Sequence, residues 1–155
     1  MKITGITGLG NKLKILLTIA FYVGTISLIA LPFVFNKFGL KLATAIFVLY
    51  PNGIVMLVIM KKFIELFDSL KKNEPFCMKN VEAFKVAGKA SLIESILWFI
   101  DFTYEIILVH SDDIVFNSTV LFLSVLFFGV FIALYILSEL FKEATKYKEE
   151  NELTI

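Results

Sequence analysis

Residues 15–35, ILLTIAFYVGTISLIALPFVF, form an apolar stretch of 21 residues without a single charged side chain. At about 1.5 Å per residue, a helix of this length spans roughly 30 Å, the thickness of the hydrocarbon layer of a bilayer. A signal peptide is the alternative, but its apolar region is usually about 7–15 residues long, and no clear small-residue cleavage site follows this stretch. We therefore predict an uncleaved membrane-spanning helix.

Three further stretches have a comparable length. Residues 42–60 carry no charge, residues 120–140 carry only Glu139 at their end, and residues 90–109 are apolar apart from three acids. A segment in lipid must satisfy its own backbone hydrogen bonds, so each stretch is expected to be a helix. The sequence predicts an all-α membrane protein, with residues 1–155 forming a single domain of four transmembrane helices.

The composition agrees with this fold class. The chain is 58% hydrophobic and 19% charged, with a mean hydropathy of +0.84, whereas soluble domains are about 45–50% apolar and about 25% charged. A net charge of +1 gives no reason to expect direct binding to nucleic acid. One cysteine and one histidine exclude a disulfide framework, a CxxC site and a zinc site built on several histidines. We expect no cofactor, no metal and no enzymatic activity.

The lysines predict the orientation of the helices. Three precede the first span, seven lie between the second and third spans, and three follow the fourth span. Only Lys37 and Lys41 lie on the opposite side. Because positive residues favour the cytoplasmic side, both termini are predicted to be cytoplasmic.

Residues 61–89 join the second and third spans. Phe63, Phe67 and Leu70 recur at helical spacing among charged residues, which predicts an amphipathic extension of the second helix. Pro75 disfavours helix at the residue before it, so a break is expected there. The segment could lie as an elbow on the inner leaflet or dock a cytoplasmic protein, and the pattern leaves both open. The candidate docking residues are Lys71, Lys72, Lys79 and Asn80.

The predicted third span carries three carboxylates, Glu94, Asp101 and Glu105. At about 100° per residue they fall on one stripe roughly 40° wide and, at about 1.5 Å per residue, roughly 16 Å long. A charge at the centre of a span costs about 2.5–3.5 kcal/mol, so this acidic stripe is expected to face protein or water rather than lipid.

Hydroxyl groups of the other helices are the candidate partners of the acidic stripe. The first and third spans run in the same direction, which predicts Thr18 at the depth of Glu94 and Thr25 at the depth of Asp101. Three interpretations remain open: neutral acids in a structural network, a proton or cation path or ligand seat, and pairing with a basic partner chain. The candidate hydroxyl partners are Thr18, Tyr22, Thr25, Ser124, Tyr135 and Ser138.

Two predicted cytoplasmic stretches resemble a known bacterial family. The first is EPF at 74–76 with NV at 80–81 and a glycine at position 88, and the second is FKEA at 141–144 with the ending KEENELTI at 148–155. Both are similar to the small four-helix membrane family called domain of unknown function 2975. Its members typically end on Glu-Asn-Asp-Leu-Thr and an aliphatic residue, so this ending has Glu in place of Asp.

The resemblance implies a multi-pass membrane protein with no assigned activity and assigns no role to the three acids. Members of the family are often encoded beside a small Cro/CI-type helix-turn-helix regulator, which suggests a regulatory pair. Members also often have serine, a natural helix cap, at the position of Cys77.

These observations together predict a protein of the bacterial cytoplasmic (inner) membrane. The leading interpretation is a non-enzymatic membrane sensor or regulatory partner of a small helix-turn-helix regulator. The alternative is a proton- or cation-coupled transporter or channel subunit that uses the acidic stripe. Besides the lipid bilayer and the regulator, a second copy of the chain is an open candidate partner.

Overall fold

The computed structural model describes residues 4–38, 48–71, 74–109 and 113–153. Its regular elements are helices, so the predicted all-α class is confirmed for this part of the chain. In chain order they are α1 (Thr4–Phe38), α2 (Tyr50–Lys71), α3 (Met78–Tyr104), which a π-helical turn (Glu105–Val109) continues, and α4 (Ile114–Leu153).

Two of these helices contain segments long and apolar enough to cross a membrane, Gly10–Phe33 in α1 and Ile114–Asn151 in α4. The predicted span 90–109 differs from them because it holds three acids. The predicted span 42–60 begins outside the described residues. Four spans and their orientation therefore remain a prediction.

The helices pack mainly in chain order, α1 against α2, α2 against α3, and α3 against α4. The pairing of α1 with α3 that the candidate hydroxyls of α1 would need is not a main contact, because the principal neighbour of α1 is α2. Parallel direction allowed that pairing but did not require it, and short connections favour packing between consecutive helices.

Glycine allows the close approach of α1 and α2. A Cβ atom on Gly53 would lie 2.5 Å from Leu28 Cδ2, and one on Gly24 would lie 3.3 Å from Leu57 Cδ2. Near the opposite end of the pair, Lys14 of α1 forms an ion pair with Asp68 of α2. The two helices are therefore antiparallel along this contact.

Small and polar side chains fill the contact between α3 and α4. Ser95 Oγ donates to the backbone oxygen of Ser124 at 2.8 Å, and Ser124 Oγ donates to the backbone oxygen of Ser95 at 2.9 Å. A Cβ atom on Gly88 would lie 3.5 Å from Leu134 Cβ. Small residues let helix backbones approach closely, which is how helices commonly pair within lipid.

Candidate functional site

Glu94 is the most enclosed of the three acids, with only 3% of its surface exposed. Its Oε1 accepts a hydrogen bond from Trp98 Nε1, one turn along α3, at 3.1 Å. Its Oε2 is also buried and has no hydrogen-bond partner among the described residues. One oxygen of this carboxyl group is therefore bonded within α3, and the hydrogen-bonding capacity of the other is unused among the described residues.

Asp101 and Glu105 lie along α3 and the π-helical turn that follows it, and both are half-buried. Asp101 Oδ2 accepts a hydrogen bond from Asn52 Nδ2 of α2 at 3.3 Å, and Asn52 Nδ2 also donates to the backbone oxygen of Val48 at 2.7 Å. Asn52 Oδ1 is buried without a partner among the described residues. At Asp101 the acidic stripe therefore faces α2.

The hydroxyl groups of α1 do not serve the acids as predicted. Thr18 Oγ1 donates to the backbone oxygen of Lys14, and Thr25 Oγ1 donates to that of Phe21, each at 2.8 Å. Tyr22 is 62% exposed and packs edge to face against Phe21. A hydroxyl group in a helix finds its nearest acceptor one turn back in its own backbone, which explains both threonines.

The candidate hydroxyls of α4 also lie elsewhere. Ser124 is buried and contacts α3, but its partner is Ser95 rather than an acid. Ser138 is buried and donates to the backbone oxygen of Tyr135 at 3.0 Å. Tyr135 is largely exposed and packs against Phe131. Hydroxyl groups thus help to join α3 to α4 without surrounding the acidic stripe.

Asn80 lies in the first turn of α3, next to the connection from α2, and is only 2% exposed. Its Oδ1 accepts from Ser69 Oγ of α2 at 2.6 Å, and its Nδ2 donates to the backbone oxygens of Pro75 at 2.7 Å and Glu74 at 3.4 Å. The prediction that Asn80 is a docking residue is wrong, since a side chain this buried cannot meet a partner. We call this set of contacts the Asn80 joint.

Aromatic packing attaches the Asn80 joint to α4. The ring of Phe141 lies 5.4 Å from the ring of Phe76 and 4.9 Å from that of Phe84, measured between centroids. The turn between α2 and α3 is therefore fixed against the C-terminal half of α4 as well as against α2.

Of the candidate docking lysines, Lys79 is exposed on the first turn of α3. Lys72 lies outside the described residues, as does the side chain of Lys71. On α4, Lys142 Nζ donates to Glu139 Oε2 at 3.1 Å, and this hydrogen bond together with the charge of Glu139 raises the pKa of Lys142. Within the described residues, no group of three or more His, Cys, Asp or Glu side chains could hold a metal ion.

Several residues that matter to this arrangement were not predicted from the sequence. Asn52 was detectable as a lone amide in an apolar stretch, and Trp98 as the residue one turn after Glu94. Ser95 follows Glu94 directly and had the small size typical of a helix contact in lipid. Phe141 carried no signal beyond its place in the C-terminal motif.

The described regular elements are helices, two of which contain segments of membrane length, and α3 with its π-helical continuation carries one buried acid, Glu94, and two half-buried ones. Over residues 11–155 the chain matches the family described as protein of unknown function (DUF2975), and it belongs to that family. The resemblance stated from the sequence is confirmed. No curated protein and no solved structure matches the chain.

Proposed function

We propose that the chain is a non-enzymatic, multi-pass protein of the bacterial cytoplasmic membrane whose cytoplasmic end docks a small helix-turn-helix regulator. One observation carries the docking proposal. In its described part, segment 61–89 contains the C-terminal end of α2, residues 74–77 and the N-terminal end of α3. The two helix ends are antiparallel and attached to α4, which supports a projecting helical end over a chain lying flat on lipid.

The distribution of side chains supports the membrane placement. None of the most apolar window of α1 is buried against the rest of the chain, and large apolar side chains dominate the exposed surface of α4. Among the described residues, about as many polar or charged side chains as hydrophobic ones are buried, and three of the buried hydrophobic residues are alanines. The exposed apolar surface of α1 and α4 would be a large apolar patch in water, whereas it is compatible with lipid.

The helix lengths support a projecting cytoplasmic end. α4 has 40 residues, which corresponds to about 60 Å, or about twice the hydrocarbon thickness. Its continuation beyond the predicted span 120–140 is the part whose Phe141 contacts Phe76 before α3 and Phe84 in α3. Three helices would thus leave the bilayer as one packed unit.

The exposed edge of this unit has the chemistry of a protein contact. Phe76 and Met78 are 41% and 55% exposed, and Lys79 beside them is also exposed. Aromatic residues and methionine are enriched at protein interfaces. The regulator as partner rests on the family resemblance, and the lysine would meet acidic side chains of that regulator.

Cysteine labelling tests the orientation. In a Cys77→Ser background, cysteines placed at Asn36 and Ser111 should react with an impermeant maleimide added to intact cells, because both connections are predicted to be outside. Cysteines at Glu74 and Tyr147 should react only after the cells are opened. Labelling of Glu74→Cys in intact cells would exclude both the orientation and the docking proposal.

Co-purification tests the docking surface. The double reversal Lys72→Glu with Lys79→Glu should reduce recovery of the regulator at least tenfold, because it places like charges against the acidic side chains that the lysines would meet. The matched reversal Lys12→Glu with Lys61→Glu changes the same charge at the same predicted side and should leave recovery unchanged. An equal loss of regulator recovery in both variants would contradict a specific docking surface, because general electrostatic repulsion would then explain the effect.

A proton- or cation-coupled transporter or channel subunit is the second candidate function. The buried Glu94 Oε2, with no partner among the described residues, favours it. Asp101 and Glu105 would then continue the path along the same stripe. The continuous hydroxyl lining that such a path needs from α1 is not supported, since Thr18 and Thr25 bond to their own helix.

A further inference from the structure

A groove between α3 and α4 combines lysine side chains with aromatic rings. Its volume is about 290 Å³. Its lining residues are Lys85, Gly88, Lys89, Phe131, Tyr135 and Glu139.

The two lysines of the groove carry uncompensated positive charge. Lys85 and Lys89 are one helical turn apart on the same face of α3, and neither forms an ion pair among the described residues. Glu139 also lines the groove, but its carboxylate accepts from Lys142 at 3.1 Å. The carboxylate is thus already paired, and the groove keeps a net positive charge.

The opposite wall is apolar and continues into the exposed surface of α4. Phe131 and Tyr135 are also one turn apart, and their ring centroids lie 6.2 Å from each other. Ile132 and Ile136 follow them on the exposed surface. A bound molecule would therefore place an anionic group beside the lysines and an apolar part along the rings.

We propose that this groove binds the headgroup of an anionic phospholipid in the inner leaflet, with the phosphate between Lys85 and Lys89. The inference rests on the proposed membrane placement. The predicted third span begins at residue 90, directly after Lys89, so the lysines lie at the level of the lipid phosphates. Basic pockets between helices on the cytoplasmic side suit such headgroups.

Native mass spectrometry of the full chain in detergent tests the inference. The chain is titrated with phosphatidylglycerol or with phosphatidylcholine of identical acyl chains. We expect one phosphatidylglycerol to bind at least about tenfold more tightly than phosphatidylcholine, and Lys85→Gln with Lys89→Gln to remove that preference. Inorganic phosphate at the same concentration should not displace the lipid, because it has no acyl chains to contact the rings.

The control is Lys12→Gln with Lys61→Gln, which removes the same charge from exposed positions outside the groove. An equal loss of preference in the control would overturn the groove in favour of diffuse attraction. Equal binding of both lipids, or displacement by inorganic phosphate, would also overturn it. Cysteine labelling distinguishes failure of the groove from failure of the membrane placement. The expected labelling pattern without a lipid preference rejects the groove alone. Labelling of Glu74→Cys in intact cells rejects the membrane placement.

Discussion

Asn80→Leu is expected to lower the free energy of unfolding by about 2–4 kcal/mol, the largest effect of any single substitution considered for this chain. Asn80 is 2% exposed and connects Ser69 Oγ at 2.6 Å to the backbone oxygen of Pro75 at 2.7 Å. Leucine has a similar size but can form neither bond. Each polar group left without a partner costs about 1–3 kcal/mol, and the turn between α2 and α3 should open.

Denaturant unfolding in mixed micelles measures the loss, and limited proteolysis at residues 74–77 reports the opening of the turn. Glu82→Leu is the matched control, because it introduces the same side chain at an exposed position of the same helix and should change stability by at most about 0.5 kcal/mol. A loss no larger than that of the control would contradict the role of the Asn80 joint. Asn80→Leu should also release the regulator if docking needs a fixed hairpin.

Glu94→Leu is expected to destabilise the protein by about 1–3 kcal/mol, whereas Glu94→Gln should stay close to the parent. The reason is the hydrogen bond from Trp98 Nε1 to Glu94 Oε1 at 3.1 Å, which a glutamine oxygen can accept and leucine cannot. Trp98 is the only tryptophan in the chain, so its emission reports directly on this bond. Leucine should shift the emission, and glutamine should not.

The same probe separates the two candidate functions. In a regulatory scaffold, Trp98 emission should be constant over the pH range in which the protein is folded, and reconstituted vesicles should show no proton or cation flux. An emission change with pH that disappears in Glu94→Gln, together with flux that disappears in the same variant, would favour the transporter. Glu105→Leu is the stability control, because the hydrogen bonds found for Glu105 among the described residues are those of its backbone N–H to Asp101 O and Phe102 O, which the substitution leaves in place.

The helical class and the interruption before α3 were predictable because both depend on local chemistry. An apolar stretch of membrane length requires internal backbone hydrogen bonds, so it forms a helix wherever it packs. Proline disfavours the helical conformation of the residue before it. In the structure, the non-helical residues 74–77 lie between α2 and α3. The motif residues that indicated the family lie in the same connection, in the first half of α3 and in α4, apart from residues 154–155, which are outside the described part of the chain.

The partners of the acids were not predictable, because helical periodicity gives the face of a residue but not the identity of the neighbouring helix. Thr25 of the first helix was a candidate partner at the depth of Asp101, which instead meets Asn52 of α2. Thr25 itself donates to the backbone oxygen of Phe21 in its own helix. This backbone acceptor competes with any acid on another helix, and a comparison of depths in the membrane does not include it.

The role of Asn80 was misjudged for a related reason. A polar residue near lysines in a cytoplasmic connection suggested an exposed contact. The fold instead buries it, since the backbone oxygens of Glu74 and Pro75 in the connection need a donor, which Asn80 supplies from the first turn of α3. Burial of Asn80 depends on how α2, α3 and α4 pack together, and the local sequence does not determine that packing.

The packing of each helix mainly against its neighbour in the chain bears on biosynthesis. Each hairpin can close as soon as its second helix has been made, so no early helix has to wait for a late one. Such local connectivity favours rapid, sequential assembly as the chain leaves the ribosome. Local connectivity also makes the two helix pairs independent of each other. The serine contact between α3 and α4 uses no residue of α1, so α3 and α4 can pack together independently of the first helix.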